Sequence, residues 1–194
     1  MILFFDTETT GKWNFKAPVE DESQPRLVQL ACILQTDDAK TKARLDLIVQ
    51  PEGTTIPDEA SRIHGITTET AHVYGVPLGL AMALFSALLL KTEECVAYNA
   101  DFDRKVMQRA GLLSNGDPDI FHPTMKWSDP MKDATDWCKL PGPYGNKWPK
   151  LGEAYEFFFG SPLAGAHNAL ADVSATVKLY WLLKKIGRAP GFAA

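Results

Sequence analysis

The sequence predicts an α/β domain with a mixed central β-sheet flanked by helices. The chain has 194 residues, of which 45% are hydrophobic, and this is enough for one well-filled core. Its first half holds short apolar runs of strand length, and its second half holds longer runs of helical length. Two alternations of strand and helix follow the first strands, which favours a sheet with both parallel and antiparallel neighbours.

The first predicted strand is the continuous apolar run over residues 1–5, which leads directly into Asp6. Such a run is typical of a strand buried on both faces at the centre of a sheet. Residues 27–34 and 45–49 are predicted to form two more strands, separated by a polar turn over residues 36–40. These two strands should form a hairpin beside the first.

Helices are predicted from the longer patterns. Residues 78–91 are apolar nearly all round, as in a helix packed between a sheet and a second layer. Residues 95–98 resemble a short buried strand, and the amphipathic pattern over residues 101–110 predicts a helix that Gly111 ends. Two closing helices are predicted over residues 151–159 and 169–185.

Composition limits how this protein meets its partners. The net charge is −4 and the pI is near 5.6, so no global positive field attracts polyanions and any contact with nucleic acid must be local. The three cysteines are odd in number and share no short metal-type spacing, which predicts buried reduced thiols and neither a disulfide framework nor a zinc site.

No targeting or membrane segment is expected. No basic region precedes the first apolar run, so a secretory signal is not predicted. The longest apolar stretch, over residues 78–90, is shorter than the roughly 20 residues that cross a bilayer. The sequence therefore predicts a soluble cytoplasmic protein without a membrane partner.

A pair of carboxylates stands where the first strand ends. Asp6 and Glu8 are two residues apart, and on a strand such residues project to the same face. Unpaired neighbouring carboxylates repel each other, and a shared proton or a bound cation relieves the repulsion. Hard oxygen ligands favour Mg²⁺ or Mn²⁺. The alternative is an ordinary solvated strand end.

A second candidate pair lies near the other end of the chain. His167 precedes Asp172 by five residues, and Asn168 is placed to cap a helix that begins there. Asp172 then falls in the first turns of the helix, and His167 remains on the loop before it. Histidine offers a base with an ordinary pKa near neutrality, although a histidine at a helix start is also a common structural hydrogen-bonding group.

Together with a third segment, these pairs resemble a known family. The third segment is Tyr98-Asn99-Ala100-Asp101-Phe102-Asp103, which follows a predicted strand. In order, residues 4–11, 98–103 and 167–172 resemble the three motifs of the DEDDh, or DnaQ-like, 3′-to-5′ exonuclease family. The resemblance covers residues 2 to about 184, and His64-Gly65-Ile66-Thr67 resembles a further segment of that family.

The resemblance implies a ribonuclease H-like fold and a catalytic site. It implies that two divalent ions, Mg²⁺ or Mn²⁺, bind the four acids and that His167 is the general base. Asp103 is preferred to Asp101 because it directly follows the phenylalanine, so Asp101 should be a solvated residue at a helix start. The implied acidic ligands are Asp6, Glu8, Asp103 and Asp172. We expect one exonuclease domain over residues 1–194 with a Trp/Pro-rich insertion at about 120–150.

The resemblance also implies a place for the terminal nucleotide. Glu59 and His64 would line it, along with the backbone at Thr9 and Thr10. The alternatives are that Glu59 starts a surface helix and that His64 packs locally.

Two other segments offer contacts to a nucleic acid strand. In the loop predicted over residues 12–25, Trp13 and Phe15 are candidates for stacking on an unpaired base, with ordinary packing as the alternative. The partly irregular segment over residues 120–149 is the most basic part of the chain and could guide a strand or be merely solvated. Its lysines are Lys126, Lys132, Lys139 and Lys147, with Lys150 at its edge.

The predicted function is hydrolysis of phosphodiester bonds from the 3′ end of DNA or RNA to release 5′-mononucleotides. The expected partner is a single-stranded 3′ end, with a polymerase or another replication protein as a further possibility. Alternatives are an exoribonuclease that trims small RNAs, a non-catalytic binding subunit on the same fold, and an aspartyl-phosphate phosphohydrolase. The last would leave the His167/Asp172 pair unexplained.

Overall fold

The computed structural model describes residues 1–187, and its centre is a five-stranded sheet. The strands lie in the order β3-β2-β1-β4-β5. Their bounds are Ile2–Thr9 (β1), Leu27–Gln35 (β2), Thr41–Ile48 (β3), Glu94–Val96 (β4) and Lys126–Ser128 (β5). β1 pairs antiparallel with β2 and parallel with β4, and β4 pairs parallel with β5. The prediction of a mixed sheet with a hairpin beside its first strand is therefore confirmed.

Seven helices surround this sheet within residues 1–187. The sheet's last two strands alternate with helices, as predicted, and the final helix returns across β1 and β2. The bounds are Asp58–His64 (α1), Thr68–Tyr74 (α2), Leu78–Leu89 (α3), Ala100–Asn115 (α4), Pro130–Cys138 (α5), Leu151–Phe159 (α6) and Ala169–Ile186 (α7).

The two faces of β1 pack against different helices because its side chains alternate. Leu3 and Phe5 point into the cluster that includes Phe85 of α3. Ile2 and Phe4 point the other way, and the ring of Phe4 lies 5.1 Å from that of Tyr180 on α7. The first strand is thus buried on both sides, and its polar end emerges between α4 and α7.

One helix continues further than its sequence suggested. The prediction that Gly111 ends the helix is wrong, since α4 continues to Asn115 and ends at Gly116, where φ is 79°. A Cβ on Gly111 would stand 2.6 Å from the carbonyl oxygen of Asp117 and 2.5 Å from Ile120. The glycine therefore allows the chain after α4 to fold back against the helix.

Other predicted boundaries also move. β3 begins at Thr41, before the predicted residue 45, because the antiparallel ladder with β2 continues through its polar, exposed residues. β4 ends at Val96, two residues before the predicted end. α3 is not buried all round, because Leu80 and Leu84 face outwards.

The segment over residues 120–149 holds β5, α5 and a small hairpin, and it is otherwise irregular. The hairpin strands are Pro141–Gly142 (β6) and Gly145–Asn146 (β7). The three cysteines are free and buried, as predicted. No helix within residues 1–187 is long and apolar enough to cross a membrane.

Candidate active site

Three of the predicted acids meet where β1 ends. Asp6 and Glu8 share the face of β1 that carries Phe4, and this face is covered by α7. Asp172 lies near the start of α7 and is buried. Besides burial, the charges of Asp172 and Glu8 raise the pKa of Asp6, and the charge of Asp172 raises that of Glu8, so these three side chains lie close together. The prediction that Asp6 and Glu8 project together is confirmed.

The fourth acid reaches the same place from the other face of the sheet. Asp103 lies in the first turn of α4 and is only 3% exposed. Its Oδ1 accepts a hydrogen bond from the Thr7 backbone N–H at 2.9 Å and another from Thr7 Oγ1 at 2.6 Å. Because Thr7 lies between Asp6 and Glu8, these bonds attach Asp103 directly to the strand that carries them.

The cluster holds negative charge that the protein alone does not neutralise. Burial, and then the charges of Asp103, Asp172 and Glu8, raise the pKa of Asp6 well above its usual range. Burial and the charges of Asp172 and Asp103 raise the pKa of Glu8 to about 8. Burial raises the pKa of Asp103 to about 7 although the Thr7 hydrogen bonds oppose this. Such shifts are common where carboxylates are gathered for function.

His167 stands on the loop before α7, as predicted, and its side chain is exposed. Its backbone is left-handed, with φ at 66°, a conformation that costs a non-glycine residue about 1–3 kcal/mol. The His167 N–H donates to Oδ2 of Asp172 at 3.0 Å, and Asn168 caps α7 through its side chain as expected. The strained residue is thus tied to the acid cluster.

Glu8, His167 and Asp172 form a group of possible metal ligands. One ligand atom from each lies within 4.8 Å of the others. Oδ1 of Asp172 is buried and accepts no hydrogen bond from within residues 1–187. A buried carboxylate oxygen without a donor is costly, and a bound cation would remove that cost. The oxygen-rich donor set therefore fits a hard divalent metal ion.

A cavity opens beside this group. It has a volume of about 390 Å³, and its walls include His167, Asp172, Lys150 and the first residues of α6. Pro162 and Leu163 of the α6–α7 loop complete one side of it. The cavity is large enough to admit a nucleotide-sized group next to the acids.

Of the four residues predicted to contact substrate, His64 and Thr9 lie near each other. His64 is buried at the end of α1, where its Nδ1 accepts from the Ile66 N–H. Burial lowers the pKa of His64, and the backbone of Thr9 partly offsets this. The offset places the ring near Thr9, although no hydrogen bond of normal geometry reaches its buried Nε2. Thr9 and His64 therefore lie close together, and their contact with a terminal nucleotide stays a prediction.

The other two residues expected to contact substrate, Thr10 and Glu59, lie in different surroundings. The Thr10 N–H donates to the Arg26 carbonyl at 3.0 Å, and Thr10 Oγ1 accepts from the Arg26 N–H. The Thr10 N–H is therefore already used, whereas the Thr10 hydroxyl only accepts in this contact and can still donate its own hydrogen. Glu59 lies exposed in the first turn of α1, and no hydrogen bond or ion pair within residues 1–187 connects it to the acids. Its contact with the terminal nucleotide therefore stays a prediction.

Trp13 and Phe15 differ in exposure, and Asp101 lies apart from the acid cluster. Trp13 is 7% exposed and packs in the core, so its proposed stacking on a base is wrong, whereas Phe15 is 65% exposed. Asp101 is exposed and pairs with Lys132 at 3.3 Å, which confirms that it is a surface residue at the start of α4.

Two functional neighbours were not foreseen. Asp129 accepts hydrogen bonds from the N–H groups of Asn99, Ala100 and Met131, so it caps α5 and also holds the start of α4. Its place before Pro130 is typical of a helix cap, but the contact with α4 has no sequence signal. Gln29 is buried in β2 and accepts from the Ala169 N–H at the start of α7. A glutamine inside an apolar strand was the available clue.

Known proteins share these features. A family model named RNase T and described as Exonuclease matches residues 3–180. E. coli exonuclease I in complex with a dT13 oligonucleotide superimposes with a TM-score of 0.78 at 22% identity, over 96% of this chain and 41% of that chain. The zinc-bound form of the E. coli enzyme with single-stranded DNA gives 0.77 at 23% identity, over 98% and 41%.

A structure of exonuclease I in complex with SSB-Ct gives a TM-score of 0.74 at 21% identity, over 95% of this chain and 41% of that chain. The chain thus spans about two fifths of the exonuclease I structures that it matches. No curated protein sequence matches significantly. The likeness in structure confirms the expected ribonuclease H-like fold, with its mixed sheet between helices.

Proposed function

Because this chain belongs to the exonuclease family that the RNase T model describes, we propose that it is a metal-dependent 3′-to-5′ exonuclease that releases 5′-mononucleotides from single-stranded DNA. The observation that carries the proposal is the meeting of four acids and one histidine at the end of β1, beside an open cavity. The non-catalytic alternative would be expected to lack one of these five side chains, and all five are present.

The cofactors are proposed to be two divalent ions, Mg²⁺ or Mn²⁺, held by Asp6, Glu8, Asp103 and Asp172. The oxygen donors, the unpartnered Oδ1 of Asp172 and the raised pKa values of the acids support this assignment. When bound, the ions would align the attacking water with the leaving 3′ oxygen and stabilise the charge that develops on the phosphate.

The protein's own side chains supply the remaining parts of the reaction. His167 is proposed to accept the proton of the attacking water, since its exposed ring stands beside Glu8 and Asp172 at the mouth of the cavity. Thr7 keeps Asp103 in place through two hydrogen bonds. Thr9, Thr10, Glu59 and His64 are proposed to contact the terminal nucleotide, with Thr10 limited to groups other than its N–H.

The choice of substrate and partner rests on the structural relatives. Exonuclease I has been captured with single-stranded DNA and with SSB-Ct, so we assign single-stranded DNA as substrate and a replication protein as a further partner. We also propose a cytoplasmic location, which three buried free cysteines support because they suit a reducing compartment.

Degradation of labelled oligonucleotides tests the proposal. With Mg²⁺ or Mn²⁺, a 5′-labelled single strand should shorten in one-nucleotide steps, and excess chelator should stop the reaction. A strand blocked by a 3′ phosphate should be degraded much more slowly, and a closed circle should survive. Full activity in chelator, or efficient cleavage of the circle by pure enzyme, would overturn the proposal. A parallel RNA strand of the same sequence tests the exoribonuclease alternative.

A further inference from the structure

The segment over residues 139–152 differs in charge from the rest of the protein. It contains Lys139, Lys147 and Lys150 and no acidic residue, whereas the whole chain carries a net charge of −4. Outside this segment, Lys132 is paired with Asp101. Lys147 is paired with Glu153 at 2.6 Å, and no ion pair within residues 1–187 engages Lys139 or Lys150.

This segment also presents two exposed aromatic side chains. Tyr144 is fully exposed at the tip of the β6–β7 hairpin, and Trp148 is 61% exposed just after it. Neither ring makes a hydrogen bond or a ring contact within residues 1–187. Single exposed aromatic residues are normal on a protein surface, but these two rings lie within five residues of each other and beside lysines that form no ion pair within residues 1–187.

The hairpin that carries these rings is closed. The Lys147 N–H donates to the Leu140 carbonyl at 2.9 Å, and Pro141 pairs with Asn146. Gly145 has φ at 115°, and a Cβ on Gly142 would stand 3.0 Å from the Gly145 carbonyl oxygen. Both glycines are therefore required by the turn. The rings are thus presented by a fixed hairpin, which lowers the entropy cost of binding.

The same segment leads directly into the catalytic cavity. The Tyr98 hydroxyl donates to the Pro149 carbonyl at 2.7 Å, which fixes the segment to the first residue of the second acidic motif. Lys150 then lines the cavity together with His167 and Asp172. Trp148 is two residues from Lys150, a backbone distance of at most about 7 Å. One nucleic acid strand could therefore contact Trp148 and enter the cavity.

From this juxtaposition, we infer that residues 139–150 form a binding surface for an unpaired strand, extending 5′ from the nucleotide in the cavity. We call it the strand surface. Trp148 and Tyr144 stack on bases, and Lys139 and Lys150 neutralise phosphates. The inference deepens the proposed function and rests on it for the identity of the cavity. Stacking requires exposed base faces, so the surface selects single strands over duplexes.

Kinetics on two substrates of different length test the strand surface. Trp148→Ala should raise KM for a single-stranded oligothymidylate by about 5- to 150-fold, the range expected for one stacked base. It should leave hydrolysis of the p-nitrophenyl ester of thymidine 5′-monophosphate unchanged, because this substrate fills only the cavity. Trp148→Phe should restore most of the loss. Tyr74→Ala is the matched control, since Tyr74 is 75% exposed on α2 and should change neither substrate.

Equilibrium binding separates failure of the strand surface from failure of the proposed function. In the Asp6→Ala background, the anisotropy of a labelled oligothymidylate should show weaker binding when Trp148→Ala is added. Adding Lys139→Ala should make the slope of log K against log salt concentration shallower by about 0.7, the value for one neutralised phosphate on a single strand. A single strand that is degraded and bound equally well with and without Trp148 would overturn the strand surface alone. An inactive wild type that still binds through Trp148 would instead overturn the exonuclease assignment alone.

Discussion

The two halves of the candidate site are held in different ways. Asp103 is buried and receives two hydrogen bonds from Thr7, so the core of the fold fixes it. His167 is exposed on a loop with left-handed backbone, and the bond from its own N–H to Asp172 anchors it. The acids are therefore positioned by the packing of the sheet, whereas the histidine is positioned by local backbone geometry. The first group should be sensitive to changes in the fold and the second to changes in one loop.

The largest effect should come from removing an acid. Asp6→Ala or Asp172→Ala should lower the rate on single-stranded DNA by at least about 10³-fold, because the remaining acids no longer hold the ions in place. The fold should persist, since removing one carboxylate relieves repulsion inside the cluster. Nuclease rates together with circular dichroism provide the measurement.

Asp101→Asn is the matched control for these variants. Asp101 belongs to the same motif as Asp103 but is exposed and paired with Lys132, so its loss should change the rate by less than a few-fold. Wild-type turnover by Asp6→Ala, or inactivity of Asp101→Asn at normal stability, would show that the acids have been assigned wrongly.

Loss of the histidine should have a smaller effect of a different kind. His167→Ala should lower the rate by about 10²–10⁴-fold, the usual cost of removing a general base, while Mn²⁺ binding measured by calorimetry persists. His167→Gly should be equally impaired although glycine tolerates the left-handed backbone at this position. Substantial activity in the glycine variant would mean that the loop geometry matters and the imidazole does not.

Weakening the hydrogen bonding between Thr7 and Asp103 should have a smaller effect than removing the histidine. Thr7→Val removes the 2.6 Å hydrogen bond to Asp103 but keeps the backbone bond. A hydrogen bond to a charged group is worth about 1.5–3 kcal/mol, so we expect a rate loss of about 10- to 150-fold and a higher Mn²⁺ requirement. Thr7→Ser should recover the rate. Equal Mn²⁺ titrations for all three proteins would contradict a positioning role for Thr7.

The smallest expected effect is on stability without metal. Glu8 has its pKa raised to about 8, from 4.5 ordinarily, so between these values the folded protein binds a proton that the unfolded chain does not. Its contribution to stability is fully present below pH 4.5 and is lost as the pH rises through about 8. In chelator, the Tm of the wild type should therefore fall more between about pH 5.5 and 8.5 than that of Glu8→Gln.

Two controls sharpen this last comparison. Glu59→Gln changes an exposed glutamate outside the cluster and should follow the wild type across the same pH range. Added Mn²⁺ should raise the Tm of the wild type at about pH 8.5, because a ligand that binds only the folded state stabilises it. Identical pH profiles for Glu8→Gln and wild type would mean that the pKa of Glu8 is not raised in the folded protein.

Much of the fold and of the acid cluster was predictable because periodicity reports burial. The apolar run before Asp6 located the central strand, and alternation along β1 placed Asp6 and Glu8 on one face. Boundaries that depend on distant contacts were not predictable. Gly111 marks a helix end by propensity, yet in the structure it lies within α4 and makes room for Asp117 and Ile120. A local pattern contains no information about the chain that returns there.

The same reason explains the unforeseen parts of the site. Thr7 points away from Asp6 and Glu8 along the strand, and only the packing of α4 makes it a partner of Asp103. Trp13 and Phe15 are alike in the sequence, but Trp13 enters the core while Phe15 remains exposed. Buried Gln24 donates to the carbonyls of Asn14, Ala17 and Pro18 and so fixes the loop between them. Long-range contacts decide these roles.

The three hydrogen bonds to Asp129 have a consequence for local unfolding. The N–H groups of Asn99, Ala100 and Met131 all donate to this one carboxylate, although they begin two different helices. Breaking that contact exposes all three amides together, so they should exchange their hydrogens with solvent as one cooperative unit. Because α4 carries Asp103, the opening free energy of this unit also sets how often the acid cluster comes apart.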